Sequence, residues 1–141
     1  MATCIAHIRV HDGKAQEFEA LARELYAAST GHEQDLVRYE YWRGQEPNSY
    51  YCMESFSTGF AGFLAHETSE HHEAAAAPIM ALIADFRLEW VDPVVGAAPL
   101  GSSNEFALGP DATERERLYA DLFPLKLANW WLGLPRERLD R

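Results

Sequence analysis

LVRYEYWRGQEPNSYYCMESF, residues 36–56, contains two strand-like runs separated by a run of turn-forming residues. Its first run, 36–43, and its last, 50–56, are rich in aromatic and β-branched side chains, which favour extended strands. The intervening GQEPNS supplies the glycine, proline, asparagine and serine that are typical of turns. The segment therefore predicts a β-hairpin, and the elements on either side of it determine which fold the hairpin belongs to.

A strand and a helix are predicted before the hairpin. TCIAHIRV at 3–10 alternates as a strand does, so that its side chains divide between two faces. From Lys14 to about Thr30, apolar side chains recur at intervals of three and four, which predicts an amphipathic helix that ends near Gly31. One face of the strand carries Cys4, Ala6, Ile8 and Val10, and the other carries Thr3, Ile5, His7 and Arg9.

A helical region and a final strand are predicted after the hairpin. Phe60, Phe63 and Leu64 share one face of a helix, which HETSEHH at 66–72 interrupts. EAAAAPIMALIADF then resumes the helical composition, and RLEWVDPV at 87–94 predicts the last strand. The order of elements is therefore β-α-β-β-α-β.

This order is that of the split βαβ, or ferredoxin-like, arrangement of the α+β class. It predicts one four-stranded antiparallel sheet in residues 1–96, with both helical regions on one face. The other face must also be covered, and in a chain of 141 residues a second subunit is the natural cover. We therefore expect a homodimer.

Residues 97–141 differ from the domain before them and predict a linker followed by a C-terminal helical extension. The first part is rich in glycine, proline and serine, and Thr113 and Glu116 have the spacing of a helix capping box. Trp130 and Trp131 lie among leucines, and so much apolar surface is rarely left in water. We expect this surface to pack on the parent or partner subunit, with a lid over a ligand pocket as the alternative.

Charge and composition exclude several classes of function. The net charge of −10 argues against a nucleic-acid partner or an anionic membrane, because both bind clustered lysine and arginine. The opening MATCIAHIRVHD lacks the long apolar core of a signal peptide, and no window approaches the roughly 18 apolar residues that span a bilayer. Cys4 and Cys52 are too few for a disulfide framework. A reduced, cytoplasmic protein is therefore expected.

Five short motifs follow one another along residues 3–94. They are Gly13 after the first strand, Phe18 in the first helix, Glu33-x-x-Leu36-x-Arg38-Tyr39-Glu40 leading into the second strand, Glu54-x-Phe56 closing the third, and His66-x-x-Ser69-x-His71 in the second helical region. In their order and spacing they resemble the antibiotic biosynthesis monooxygenase domain, over about two thirds of the chain. The resemblance implies a dimeric α+β barrel.

The sequence departs from the usual pattern of that family at three places. Gln34-Asp35 stand where the family often has Pro-Gly, and Phe56 stands where a tryptophan is common. The related haem-degrading branch uses an asparagine on the first strand, where this chain has Ala6-His7, so haem degradation is disfavoured. The resemblance implies oxygenation of an electron-rich aromatic substrate without flavin, haem or metal.

HETSEHH holds three of the six histidines and admits three interpretations. The first interpretation is a metal site. His66 and His71 are five residues apart, about 140° around a continuous helix, so they do not converge on a metal unless the helix breaks. In the second interpretation Ser69 or Thr68 caps a helix, and the acidic residues and His72 are solvated. In the third, His66 and His71 are catalytic, because an imidazole that titrates near neutrality can accept and return a proton. We expect no metal and no cofactor.

The predicted substrate pocket lies between the helices and the sheet. Glu54 is a charged residue on an otherwise apolar strand, and we expect it to be ion-paired with Arg38 or Arg9 because an unpaired buried carboxylate is costly. The residues predicted to bind the substrate are Phe56, His7, Phe60, Phe63 and Trp90.

The resulting hypothesis is a cofactor-independent monooxygenase that oxidises a phenol, anthrone or quinol with O₂. Deprotonation makes such a substrate electron-rich enough to pass an electron to O₂, so the protein needs to supply only a base and a dry pocket. Two alternatives stay open: a non-catalytic dimeric barrel that binds a small hydrophobic ligand, and an isomerase of small ketones on the same fold.

Overall fold

The predicted order of elements is confirmed by the computed structural model, which describes residues 1–134. Two short helices follow the β-α-β-β-α-β domain. The elements are β1 Ala2–Val10, α1 Ala15–His32, β2 Leu36–Arg43, β3 Ser49–Phe56, α2 Phe60–Glu67, α3 Glu70–Met80, β4 Ile83–Val91, α4 Glu114–Leu122 and α5 Asn129–Leu132.

The four strands form one antiparallel sheet in the order β2-β3-β1-β4. The predicted hairpin lies at one edge of the sheet, with Tyr39 of β2 opposite Glu54 of β3. β1 is central and pairs with both β3 and β4, so that Cys4 lies opposite Glu54 on one side and Trp90 on the other. This topology confirms the ferredoxin-like α+β fold.

The last strand begins earlier than the sequence predicts. β4 starts at Ile83, not at Arg87, because it pairs along β1 as far as Val10. The register shifts between Arg9 and Val10, and this bulge hides the two-residue alternation at the start of the strand. β4 ends at Val91, before the proline that the prediction included, because proline has no amide hydrogen to donate to a ladder.

The core lies between the sheet and the helices, on what we call the helix-covered face. The predicted division of β1 is confirmed, because all four residues of its apolar face are buried. One core cluster is built with α1 and α3, and a second with α2 and the C-terminal extension. The first includes Ala6, Ile8, Phe18, Leu25 and Tyr39, and the second includes Cys4, Phe56, Phe60, Phe63 and Tyr119.

The opposite face of the sheet, which we call the outer face, mixes apolar and charged side chains. Trp42 and Tyr51 are exposed there. His7 lies on this face, with its Nε2 3.1 Å from a carboxylate oxygen of Glu89 and its ring edge-on to Tyr51. The sheet itself therefore separates His7 from the helix-covered face.

The extension runs back over the start of β1 before it forms α4. The amide of Asn104 donates a hydrogen bond to the Met1 carbonyl oxygen at 3.2 Å. The predicted capping box of Thr113 and Glu116 is confirmed and begins α4. The extension is thus attached to Met1, the first residue of the domain, and is attached to the domain again through α4.

The end of the extension is less covered. Trp130 is 68% exposed, so the parent subunit does not bury it. The division of the chain between residues 96 and 97 stays a prediction, and the last part of the predicted extension, 135–141, lies outside the described residues. No helix within residues 1–134 is long and apolar enough to cross a membrane.

We predict that Phe63→Ala lowers the free energy of unfolding by about 3–5 kcal/mol, because it removes a fully buried ring and leaves a cavity. Phe63 contacts Phe56, Phe60 and Trp90 at centroid distances of 5.9, 5.6 and 5.0 Å. Urea unfolding measures the loss. Leu118→Ala, at an exposed position of α4, is the control and should change stability by less than about 0.5 kcal/mol. A loss similar to the control's would contradict this account of the core.

Candidate active site

The second helical region is interrupted inside HETSEHH, as the sequence predicts. α2 ends at Glu67 and α3 begins at Glu70. Ser69 caps α3, because its Oγ accepts a hydrogen bond from the His72 amide at 3.3 Å. The break turns His66 and His72 toward each other, with 4.8 Å between their ring centroids.

One carboxylate joins the two sides of this break. The oxygens of Glu33, at the C-terminal end of α1, lie 3.0 and 2.9 Å from Nδ1 of His66. Nε2 of His71 lies 2.6 Å from one of the same oxygens. Burial opposes the ionisation of Glu33, but the hydrogen bonds from the two histidines outweigh it and lower the pKa of the carboxyl. The break thus lets His66 and His71 share one acid.

His66 is fully buried. Its ring packs edge-on against Tyr39 at 5.2 Å and lies 5.7 Å from the ring of Phe56. Burial opposes protonation, but the hydrogen bond to Glu33 and the charge of Glu54 together raise the pKa of His66. Its other nitrogen, Nε2, has no hydrogen-bond partner among the described residues. The imidazole is therefore held on one side and free on the other.

A cavity of about 230 Å³ lies beside this break, between the sheet, α1, α3 and α4. Most of its wall is apolar and includes Ile8, Phe18, Leu25 and Leu88. A small apolar cavity on which a few polar groups converge is the usual form of a small-molecule site. The polar groups here belong to Tyr39, Tyr41, Cys52, Glu54, Glu67, His72 and Tyr119.

Glu67 and His72 line this cavity, so the expectation that both are solvated is wrong. Burial, followed by the charge of Glu54, raises the pKa of Glu67 to about 8. Burial, followed by the charge of His66, lowers the pKa of His72 to about 4. Nδ1 of His72 donates to the Glu67 carbonyl oxygen at 3.1 Å, which leaves an unprotonated Nε2 3.6 Å from the Glu67 carboxyl. Near pH 7 both groups are therefore predominantly neutral.

Glu54 also faces the cavity, and the predicted ion pair is wrong. Its carboxylate accepts from the thiols of Cys4 at 3.7 Å and Cys52 at 3.4 Å. Arg38 and Arg9 pair with strand positions that face the other way, so both lie on the outer face. The carboxylate therefore enters the cavity wall with thiols, not with a cation, as its hydrogen-bond donors.

The structure brings His66 and His71 together at Glu33, but it places neither in the lining of the cavity. Four of the five residues predicted to bind the substrate pack with one another in the second core cluster, behind the cavity wall. His7 lies on the outer face. The role of these residues in substrate binding stays a prediction. The four clustered residues are Phe56, Phe60, Phe63 and Trp90.

Sequence reasoning missed the polar wall of the cavity. Tyr39 and Tyr41 alternate on β2 and share one face, and their hydroxyls are 2.9 Å apart. That alternation was visible in the sequence, whereas the approach of Glu67 to His72 was not. A separation of five residues brings two side chains together only if the helix breaks between them.

The same residues offer a possible set of metal ligands. One nitrogen each of His66 and His72 and one oxygen of Glu67 lie within 4.8 Å of one another. Two bonds of about 2.1 Å on opposite sides of a cation span only about 4.2 Å, and less in a tetrahedral site. The three groups would have to move closer together to hold an ion, and their arrangement suits hydrogen bonding and proton transfer better.

A ferredoxin-like sheet with a polar-ended cavity under its helices defines a small α+β domain with a cavity of the kind that small-molecule sites use. The family model for antibiotic biosynthesis monooxygenase matches residues 1–78, and the chain belongs to this family. The family name points to monooxygenase chemistry. A comparison with curated proteins finds no match.

Several solved structures share the fold. A candidate antibiotic biosynthesis monooxygenase from Caulobacter crescentus is 25% identical, with a TM-score of 0.61 over 67% of this chain and 90% of that one. Candidates from Bacteroides thetaiotaomicron and Nitrosomonas europaea are 15% and 16% identical, with TM-scores of 0.64 and 0.62. The Bacteroides thetaiotaomicron match covers 70% of this chain and 94% of that one. The Nitrosomonas europaea match covers 67% of this chain and 100% of that one. These two likenesses show the fold alone.

We predict that the stability of the protein falls as pH rises between about 6.5 and about 8, through Glu67. The folded chain keeps the Glu67 proton up to about pH 8, whereas the unfolded chain releases it near its ordinary pKa of 4.5. At Glu67 the unfolded state therefore binds fewer protons, which costs on the order of 1 kcal/mol per pH unit. Below about pH 6.5 His72 offsets this cost, because its pKa falls from 6.5 in the unfolded chain to about 4 in the folded one.

Glu67→Gln should flatten this pH dependence, because an amide does not titrate. Urea unfolding at a series of pH values compares the variant with the wild type and with Glu70→Gln, an exposed position in the same segment. An unchanged slope in Glu67→Gln would mean that Glu67 ionises normally in the folded protein.

Proposed function

We propose that the protein oxidises a small electron-rich aromatic substrate, a phenol, quinol or anthrone, with O₂ in this cavity and without a cofactor. The observation that carries the proposal is the cavity with an apolar wall and a proton-accepting end at Glu67 and His72. Membership in the antibiotic biosynthesis monooxygenase family supports the reaction class. An aromatic ring would lie against the apolar wall, with its acidic group at the polar end.

Glu67 is the base in this proposal. A base works best when its pKa lies near the pH of the reaction, and burial brings the pKa of Glu67 to about 8. His72, neutral with Nε2 toward the Glu67 carboxyl, can accept a hydrogen bond from the protonated acid. The two residues can therefore take a proton from the substrate and hold it inside the cavity.

The electrons for the reaction come from the substrate. Removal of the hydroxyl proton of a phenol or quinol, or of a CH₂ proton of an anthrone, gives an anion, which transfers one electron to O₂. The substrate radical and superoxide combine, and the peroxide anion takes back the proton held at Glu67. Loss of the proton that remains on the carbon bearing the peroxide, with cleavage of the O–O bond, gives the carbonyl product and water. An anthrone R₂CH₂ and O₂ thus become R₂C=O and H₂O, and a phenol and O₂ become a quinone and H₂O. A dry cavity protects the anion from reprotonation by solvent.

His66 and His71 act behind the cavity wall in this proposal. The His66 ring lies 4.8 Å from that of His72, and its free Nε2 makes it the next group in a proton path. His71 holds Glu33, which in turn fixes the orientation of His66. We therefore propose a proton-relay role for His66 and a positioning role for His71.

We predict that Glu67→Gln lowers turnover by about 10²–10⁴-fold, the usual range for a lost general base. In the wild type kcat/KM should rise as pH rises through about 8, because Glu67 must be ionised, and the variant should lose that rise. Oxygen uptake with a panel of phenols, quinols and anthrones measures both effects. His66→Ala should have a smaller effect on turnover, and Glu70→Gln should have none.

Two outcomes would contradict this proposal. A Glu67→Gln protein with wild-type turnover and pH profile would remove Glu67 from the reaction. Wild-type protein that binds the aromatic panel but consumes no O₂ would favour the second candidate function, a non-catalytic barrel that binds a small hydrophobic ligand. The predominantly apolar cavity wall is the observation that favours this second candidate.

We also propose that the protein is a homodimer whose outer faces meet. Trp42, Tyr51 and Val37 are exposed on or beside this face, and such an apolar surface is usually covered. An obligate interface of this kind buries more than about 2,000 Å² in total. A reducing, cytoplasmic setting is part of the same proposal, and the free thiols of Cys4 and Cys52 favour it.

We predict that Tyr51→Arg produces a monomer, because it places an unpaired charge in the middle of the proposed interface. Sedimentation velocity at micromolar concentration should show a dimer for the wild type. Tyr26→Arg changes an exposed tyrosine on α1 and should leave the dimer intact. A monomeric wild type would refute the proposed assembly.

A further inference from the structure

We propose that α4 and the residue after it form the wall that determines substrate size, and that they limit the occupant of the cavity to a phenol or hydroquinone of one or two rings. The chemical class rests on the proposed function, whereas the size limit rests on the cavity alone. Three side chains form this wall: Tyr119, Leu122 and Phe123.

The wall belongs to the part of the chain that follows the family domain. The family model ends at residue 78, and α4 begins at Glu114. The domain contributes the sheet, α1 and α3 to the cavity, and α4 closes the remaining side. Selectivity for size is therefore a property that this chain adds to the family fold.

α4 is fixed to the domain at both ends, so its side chains form a defined wall. Arg115 forms a two-pronged ion pair with Glu73 of α3, with 2.8 Å between Nε and Oε1. Its guanidinium also lies 5.1 Å from the centre of the Tyr119 ring. At the other end, the indole N–H of Trp90 donates to the Phe123 carbonyl oxygen at 3.2 Å.

The volume of the cavity sets the size of the occupant that it can enclose. An apolar cavity of about 150 Å³ takes one benzene ring, and pockets for drug-sized ligands begin at about 300 Å³. The cavity here, at about 230 Å³, lies between these values. In proportion to benzene it holds roughly nine ring carbons, which fits one ring with substituents and comes close to the ten carbons of two fused rings. A three-ring anthrone exceeds it.

The opening of the cavity lies between α3 and α4. Met80, at the end of α3, is 52% exposed and Leu122 is 56% exposed, although both line the cavity. Residues deeper in the wall, such as Phe18 and Tyr39, are buried. A ligand therefore enters past Leu122 and meets Phe123 farther in, where the ring of Phe123 lies 5.9 Å from that of Phe86.

The test is the binding of two probes by the full-length protein, measured by equilibrium dialysis without turnover. We expect the wild type to bind 1-naphthol at least about tenfold more tightly than 2-hydroxyanthracene, a difference of about 1.4 kcal/mol. Phe123→Ala should open space for roughly one further ring and remove this preference. Phe106→Ala is the matched control, because Phe106 packs in the same aromatic cluster of the extension but does not line the cavity.

A second pair of variants tests the opening and does not depend on a core position. Leu122→Trp should weaken 1-naphthol binding at least about tenfold, whereas Leu118→Trp, on the same helix but outside the cavity wall, should leave it within about twofold. Equal binding of both probes to the wild type would overturn the size limit. Equal effects of the two tryptophan variants would overturn the role of α4.

These outcomes are separate from those that test the proposed function. Selective binding of 1-naphthol without O₂ uptake would refute the oxygenase and leave the size limit standing. Oxygen uptake with three-ring anthrones but not with two-ring quinols would support the oxygenase and overturn the inference about α4.

Discussion

The arrangement of the site depends on the carboxylate of Glu33, which accepts hydrogen bonds from histidines on both sides of the helix break. Charge-assisted hydrogen bonds of this kind contribute about 1.5–3 kcal/mol each, enough to fix the angle between α2 and α3. A continuous helix would point His66 and His71 in different directions and leave one of them without this partner. With the break in place, the following residue, His72, turns toward the cavity, where it meets Glu67. The junction between the helices thus creates the polar end of the site.

That polar end is electrostatically unfavourable by ordinary standards. Glu54 and Glu67 both enter the cavity wall, and no arginine or lysine lines it among residues 1–134. Burial and mutual repulsion make a second negative charge costly there, and Glu67 responds by holding its proton to about pH 8. A fold selected only for stability would place apolar side chains at these positions. Such a departure from local stability is typical of a site whose groups are tuned for proton transfer.

Most of the fold could be predicted from the sequence, because strand alternation and helical spacing are local patterns. The fold, the face division of β1, the capping box at Thr113 and the break inside HETSEHH follow from such patterns. The site depends on relations that are not local. The predicted ion pair joins Glu54 to arginines that the strand register places on the outer face. Neither strand's sequence alone determines the register between them. Likewise, the position of His72 depends on the angle of a helix break, which the cap residue indicates but does not specify.

The proposed function divides the cavity between the family domain and the extension. The groups that can move a proton lie between residues 33 and 72, within the part of the chain that the family model matches. The side chains that close the cavity come from α4, about fifty residues later, and reach it only because Arg115 and Trp90 hold the extension against the domain. Substitutions in α4 can therefore change the shape of the cavity without touching Glu67 or His72. In the proposed function, the acid–base groups and the size-selecting wall lie in separate segments, so that the substrate can change while the chemistry stays the same.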